Sequence, residues 1–183
     1  SNNSEVIFAE KYDYDEGKSH QWDALAQPSG FGFNWSSNYT VYLETLEQFD
    51  FTDGSSGMLD RSIYDDATEI DPNWFFEMRD PRMRASIFYP GSSFKGGTVH
   101  FHRSTSGTMA GWPKTGPSKH IGSMATGLLI RKRTNPETPD ATRSSTDYII
   151  FRLGEIILNY VEAAYYLGDP NGDMLANMNN LRD

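Results

Sequence analysis

The stretch 147–168, DYIIFRLGEIILNYVEAAYYLG, decides the fold of this chain. Its apolar side chains recur at steps of three and four residues, which is the spacing of one face of an α-helix. Residues 144–146 offer Ser or Thr to cap the start, and Gly168, with Pro170 shortly after it, marks the end. We expect a helix buried on more than one side, because its apolar face is wide and aromatic: Ile150, Leu153, Ile157, Tyr160, Val161 and Ala164.

Four polar side chains lie in line on the same stretch. Glu155, Asn159 and Glu162 follow one another at helical spacing, and Arg152 lies one turn before Glu155. Polar groups on a buried helix are normally paired, so we expect a structural seam that bonds internally or to a neighbouring helix. The alternative is a catalytic pair of carboxylates, but Glu155 and Glu162 are about 10 Å apart by helical rise and no cleft is implied there.

A second helix follows after a tight connection at 168–173. Asp173 can cap it, and Met174, Met178 and Leu181 would face inward. Two helices joined by so short a loop pack antiparallel. The segment 147–183 is therefore predicted to be a helix pair.

Upstream, the sequence predicts short elements between long loops. Asp71 caps a short helix that carries Trp74 on its core face and stops near Arg79, since Pro81 disfavours helix in the residue before it. Asp80 and Arg82 are expected to be structural: Asp80 would accept backbone N–H groups, and Arg82 would bridge to a carboxylate. The other predictions are strands at 5–12, 83–89, 98–103 and 125–132, a helix at 40–49, and long loops at 13–37 and 95–123.

Composition excludes several classes of protein. The 183 residues suffice for one domain with a core, and they carry 16 basic and 25 acidic side chains, a net charge of −9. Such an acidic balance argues against nucleic-acid binding, and neither an apolar run near 18 residues nor a basic amphipathic helix points to a membrane. The chain has no Cys, which rules out disulfides and thiolate metal sites.

Many of the aromatic residues lie in Gly-, Ser- and Asn-rich segments, where a core does not require them. This is typical of carbohydrate-binding surfaces, because a Trp or Tyr face offers flat apolar area to a sugar ring. The alternative is that these rings are loop residues pinned onto a nearby core. Gln21, Asn34 and Asn38 are candidates for bonding sugar hydroxyls. The aromatic candidates are Tyr12, Tyr14, Trp22, Trp35, Tyr39 and Trp112.

Metal and cofactor sites are not predicted. His100 and His102 alternate on a strand and face one side, but no third ligand is evident, which favours a surface pair. The acidic loops 13–17 and 50–60 could touch Ca²⁺, yet neither has the EF-hand spacing with its terminal Glu. We therefore expect solvated loops and no cofactor.

Five blocks lie along the chain in this order: EVIFA at 5–9, VYLETLEQFDFTDGS at 41–55, RDPRM with ASIFYPG at 79–91, TGLLIRKRTNPET at 126–138, and FRLGEIILNYVEAAYYLGD at 151–169. Together they resemble the SusD/RagB family of Bacteroidetes outer-membrane nutrient-binding lipoproteins. The last block is the most specific, being similar to the family's "RyAEvlLNYAEAlnelG". One departure is Gly154, where the family usually has Ala; Gly costs up to about 1 kcal/mol of helix propensity unless a neighbour packs close.

The resemblance implies a mainly α fold with loop-rich α+β insertions, in which tetratricopeptide-like helical repeats accompany an irregular C-terminal region with short strands. On this comparison, residues 1–183 are a single C-terminal region, an incomplete fragment truncated at both ends. The helix pair would be the last repeat. The family's signal peptide, lipid-attachment Cys and other repeats would precede it.

The resemblance also implies a function without catalysis. The protein would bind an oligosaccharide or polysaccharide on the outside of the outer membrane, held there by an N-terminal lipid anchor absent from this chain. An arc of aromatic side chains would hold the glycan for delivery to a TonB-dependent transporter of the SusC type. The alternatives are a carbohydrate-active hydrolase working with two carboxylates, or a helical-repeat interaction scaffold.

Overall fold

The computed structural model describes residues 3–31, 38–64, 71, 73–99, 127–169 and 171–181. The chain forms two compact units: unit 1 is Ser1–Lys18 with Ser145–Asp183, and unit 2 is Ser19–Ser144. The helices and strands in chain order are β1 Val6–Glu10, α1 Trp22–Ala26, α2 Leu43–Leu46, α3 Pro81–Ser86, β2 Ile87–Phe88, β3 Ser93–Phe94, β4 Gly97–Thr98, β5 Leu129–Ile130, β6 Tyr148–Arg152, α4 Leu153–Tyr166 and α5 Met174–Asn180. Single 3₁₀ or π turns lie at Arg61–Tyr64, Asn73–Glu77 and Ala141–Arg143.

Unit 1 is built on a two-stranded antiparallel ribbon of β1 and β6. Ala9 pairs with Ile149 and Glu10 with Tyr148, and the ribbon ends where the amide of Leu153 donates to the carbonyl oxygen of Glu5, 2.8 Å away. The start of the predicted helix is therefore a strand, and caps at 144–146 were the wrong expectation. The run YIIF is β-branched and aromatic, which suits a strand once a partner is present.

The long helix α4 is less buried than its pattern predicts. Ala164 is its one buried residue, and Glu155, Asn159 and Glu162 are all exposed. Within the described part of the chain, no hydrogen bond joins any of these three polar side chains to another residue. The prediction of a buried polar seam, paired internally or with a neighbouring helix, is therefore wrong for the described part of the chain.

Helix α5 follows the short connection as predicted and contacts α4. No residue of α5 is buried, so the expected inward face of Met174, Met178 and Leu181 is only partly covered. Asp173 precedes α5 but makes no side-chain cap; its carboxylate accepts the hydroxyl of Tyr160 instead, at 2.5 Å.

Unit 2 holds the core, in two apolar clusters that meet at β2. Strand β2 pairs antiparallel with β5, Ile87 opposite Ile130 and Phe88 opposite Leu129. Successive strand residues point to opposite faces, so Ile87 joins one cluster and Phe88 the other. The first cluster also contains Leu46, Phe51, Leu59, Phe75, Phe76, Met83, Tyr89 and Leu128; the second also contains Phe31, Phe94, Val99 and Leu129.

Two elements of unit 2 differ in type or length from the sequence predictions. The helix expected at 40–49 shrinks to α2, because Thr40 bridges Leu129 and the amide of Val41 donates to the carbonyl oxygen of Leu128. The strand expected at 83–89 starts as α3 and is extended only in β2. Asp80 explains this: its carboxylate accepts the amide of Arg82 at 2.8 Å, and Pro81 fills the first helical position.

Arg79 is buried in unit 2 and bonds main-chain carbonyl oxygens from several segments of the chain. Its side chain is fully covered, and its Nη1 donates to the carbonyl oxygens of Phe49 at 2.8 Å and Gly57 at 3.0 Å. Its Nε donates to the carbonyl oxygen of Phe75 at 2.8 Å. Trp74, expected in the core, is 41% exposed and instead stacks on the ring of Phe51.

Candidate functional site

Two of the aromatic candidates stack on each other in unit 2. The rings of Trp22 and Tyr39 lie 5.1 Å apart between centroids, with planes inclined by 21°. Trp22 is half-buried at the first position of α1, whereas Tyr39 is 39% exposed. The pair is therefore a tyrosine ring supported by Trp22, with part of its surface exposed to solvent.

Main-chain bonds hold Tyr39 between α1 and β5. The amide of Asn38 donates to the carbonyl oxygen of Leu25 in α1, at 3.0 Å. The carbonyl oxygen of Tyr39 accepts the amide of Ile130 in β5, also at 3.0 Å. The position of the ring consequently depends on regular elements of the unit rather than on the loop alone.

A cation completes the group. The guanidinium carbon of Arg133 lies 5.0 Å from the centre of the Trp22 ring. Arg133 sits in a turn closed by the amide and hydroxyl of Thr134, which both donate to the carbonyl oxygen of Arg131, at 3.0 and 2.6 Å. Its φ is +70°, a left-handed conformation that is uncommon for residues other than Gly.

Asp23 ties this turn to α1. Its side chain is buried, and it accepts the amide of Asn135 at 2.6 Å and the hydroxyl of Thr138 at 3.3 Å. The segment 133–138 is thereby fixed against the helix that carries Trp22.

Two buried side-chain nitrogens on or near α1 could still donate a hydrogen bond: one belongs to Trp22 itself and the other to Gln27. Within the described ranges, Nε1 of Trp22 and Nε2 of Gln27 have no hydrogen-bond partner. The other side of the Gln27 amide, Oε1, accepts Nζ of Lys95 at 3.2 Å, and that ammonium also reaches the carbonyl oxygen of Thr138 at 3.5 Å. The second contact connects the β3–β4 turn with the same segment that Asp23 holds.

The remaining sequence candidates fall elsewhere. Tyr12 belongs to unit 1, where its amide donates to Asp147 at 3.2 Å and Lys18 lies 5.2 Å from its ring. Gln21 and Asn38 have exposed side chains in unit 2. Asn34, Trp35 and Trp112 lie outside the described residues, as do His100 and His102.

The described residues hold no cluster of three or more His, Cys, Asp or Glu side chains that suits a metal ion. The aspartates of the acidic loops bond their own backbone: Asp53 accepts the amide of Ser55, and Asp60 that of Ser62, each at 2.9 Å. These bonds to Ser55 and Ser62 lower the pKa of both carboxyls. In the same described ranges, no helix has the length and apolar character needed to cross a bilayer.

Comparison with known proteins identifies the family. The model of the SusD family matches residues 4–183. A solved SusD-like carbohydrate binding protein from Bacteroides fragilis is 25% identical, with a TM-score of 0.60 over 88% of this chain and 29% of that protein. A second SusD-like protein from the same species is 23% identical, with a TM-score of 0.65 over 99% of this chain and 36% of that protein. No curated protein sequence matches.

The fold, helices with a few short strands, is thus that of a SusD-like protein. The chain belongs to the SusD family. It spans about a third of the length of the two solved proteins it resembles.

Proposed function

We propose that this chain belongs to a non-catalytic binding protein that holds an oligosaccharide or polysaccharide at Tyr39. The observation that carries the proposal is the exposed tyrosine ring stacked on Trp22 in a chain of the SusD family. One of the two similar solved structures is itself described as a carbohydrate binding protein.

A sugar ring would lie against the open part of the Tyr39 ring. Stacking of this kind contributes on the order of 1 kcal/mol, by analogy with aromatic pairs, so several contacts must add up to useful affinity. The exposed amides of Gln21 and Asn38 would bond sugar hydroxyls. Trp22 would act mainly as the rigid support of Tyr39, because its own ring already contacts both Tyr39 and Arg133.

The whole protein would work at the cell surface. Membership of the SusD family supports a lipid-anchored protein of the outer membrane that passes its glycan to a TonB-dependent transporter of the SusC type. No cofactor enters this proposal. Loss of uptake of the bound glycan in cells that lack the gene would test the delivery step.

Calorimetric titration of the full chain with a panel of oligosaccharides tests the binding site. Tyr39→Ala should weaken binding about fivefold, the equivalent of one stacking contact, whereas Tyr39→Phe keeps the ring and should bind nearly as well as the wild type. Tyr42→Ala is the matched control, since Tyr42 is 73% exposed and lies outside the stacked pair. Equal binding by the Tyr39→Ala variant and the wild type would exclude the site, and new reducing ends in the mixture would exclude a non-catalytic role.

A further inference from the structure

Trp74 is an aromatic residue of unit 2 that does not belong to the stacked pair of Trp22 and Tyr39. Its side chain rests on buried rings and is nevertheless 41% exposed. We propose that Trp74 is a second sugar-stacking surface, which binds a polysaccharide at a point separate from Tyr39. This inference rests on the proposed function and adds a second point at which the glycan is held.

Buried rings fix the indole of Trp74 in position. It stacks on Phe51, with ring centroids 5.3 Å apart and planes inclined by 19°, and it meets the ring of Phe75 edge to face at 6.1 Å. Both of these rings are buried in the first apolar cluster. The indole therefore has little freedom left to lose when a ligand binds, which lowers the entropic cost of binding.

A π turn exposes this ring to solvent. The amide of Met78 donates to the carbonyl oxygen of Asn73, five residues earlier, at 3.1 Å. The sequence predicted a short helix with Trp74 on its core face. In the π turn, however, the next two residues, Phe75 and Phe76, are both buried, and Trp74 lies outside the core. Single π turns are rare and occur frequently at functional sites.

The polar groups next to the ring suit a sugar better than an apolar protein surface. In the described part of the chain, neither Nε1 of Trp74 nor the exposed side-chain amide of Asn73 has a hydrogen-bond partner, so both can bond hydroxyl groups. Asp71, also exposed, accepts the amide of Asn73 at 2.9 Å. The core of a protein interface is normally depleted of charged residues. A flat indole flanked by an amide and a carboxylate instead offers a sugar ring one apolar face and several polar partners.

Affinity electrophoresis of the full chain through gels that contain a polysaccharide tests this site, because the method detects weak binding. The gels contain soluble derivatives of cellulose, xylan, amylose or galactan. With the polysaccharide that retards the wild type most, Tyr39→Ala and Trp74→Ala should each lower the apparent affinity about fivefold, the equivalent of one stacking contact. The double variant should lose both contributions.

Further variants separate binding from folding. Trp74→Leu keeps apolar contact with Phe51 but has no flat face, so it should bind as weakly as Trp74→Ala, whereas Trp74→Tyr should recover most of the affinity. Urea unfolding verifies that each variant is folded. Tyr42→Ala, which removes another exposed ring of unit 2, should leave the retardation unchanged.

The outcomes distinguish the two proposals. A folded Trp74→Leu variant that is retarded as strongly as the wild type would overturn the site at Trp74 and leave Tyr39 intact. Complete loss of binding in the Tyr39→Ala variant alone would also overturn it, because no second point would then remain. Absence of retardation of the wild type by every polysaccharide would overturn both proposals.

Discussion

The guanidinium carbon of Arg79 lies 4.4 Å from the centre of the Phe51 ring, so a buried cation covers an aromatic face in the middle of unit 2. The same group bonds main-chain carbonyl oxygens of Phe49, Gly57 and Phe75, which come from three separate segments. One side chain thus joins stretches of chain that share no strand or helix.

Replacing Arg79 should therefore destabilise unit 2 severely. Arg79→Met leaves at least three buried carbonyl oxygens without their donor, and we expect a loss of about 3 kcal/mol or more in the free energy of unfolding. All four tryptophans lie at 22–112, within unit 2, so urea unfolding followed by tryptophan fluorescence measures the effect there. Arg82→Ala is the control; its side chain is 82% exposed, and the expected loss is below about 1 kcal/mol. Similar unfolding midpoints for the two variants would contradict the role of Arg79.

Gly57 should not tolerate a side chain. A Cβ atom there would lie 2.3 Å from the carbonyl oxygen of Phe49 and 2.5 Å from that of Glu47, both of them backbone atoms that cannot move aside. We expect Gly57→Ala to destabilise unit 2 by about 2–4 kcal/mol. Gly54→Ala, in the same loop with open space and a φ of +85°, should cost only about 1 kcal/mol. If Gly57→Ala lowers the free energy of unfolding less than Gly54→Ala does, the carbonyl oxygens of Phe49 and Glu47 do not lie this close to Gly57.

Gly154 and Gly168 should respond in opposite directions when replaced by Ala. At Gly154 the nearest atom to an added Cβ is Cδ2 of Leu181, at 3.8 Å, which is ordinary contact, so Ala should stabilise α4 by up to about 1 kcal/mol. At Gly168 the φ of +77° penalises any side chain, and Ala should cost about 1 kcal/mol. Urea unfolding followed by circular dichroism at 222 nm measures both changes in stability, because α4 is the longest described helix. Destabilisation by both variants would mean that α5 packs closer to Gly154 than the structure shows.

Acid should weaken unit 2 in part through Glu47. Its side chain is fully covered, and bonds from Arg61 lower the pKa of its carboxyl, aided by the amide of Leu59. A depressed pKa means that the unfolded chain binds the proton more readily. The stabilisation of unit 2 by the Glu47 carboxylate is therefore complete when the pH lies above the ordinary Glu pKa of about 4.3. It is lost as the pH falls towards the lowered pKa of Glu47 in the folded protein.

The Glu47→Gln variant tests this dependence. It should be less stable than the wild type at pH 7, and its stability should fall less steeply below about pH 4.3. Glu44→Gln, on an exposed position of α2, should keep the wild-type slope. If the free energy of unfolding falls equally steeply with pH in Glu47→Gln and in the wild type, the acid sensitivity belongs to other groups.

Sequence patterns predicted α4, α5 and the place of α2. They did not predict α1, which lies in the segment 13–37 expected to be a loop, nor α3, nor the pairing of β6 with β1. The apolar run 148–151 fits a helical face as well as a strand, and only pairing with β1, far away in sequence, decides between them. The β-propensity of one segment does not tell whether a distant segment is available to pair with it. The cap at Asp80 was predictable because capping is local and depends on residue type.

The candidate site was predictable only in part. Trp22 and Tyr39 stand out as aromatics in polar surroundings, but their stacking depends on bonds to α1 and β5 that no local pattern reveals. Arg133 was not among the sequence candidates, because its approach to the Trp22 ring depends on a left-handed turn that composition does not reveal. Arg79 was missed because its partners are main-chain oxygens, which every sequence contains.

The pairing of β1 with β6 makes unit 2 an insertion between two strands of one ribbon. On the ribosome, β1 emerges roughly 140 residues before its partner, a delay on the order of ten seconds at ordinary rates of synthesis. Throughout that time the apolar side chains of Ile7 and Phe8 lie on a segment whose pairing partner has not yet been made. The ribbon of unit 1 can therefore assemble only after residues 148–152 have been made, and until then the β1 segment is open to chaperones or to mispairing.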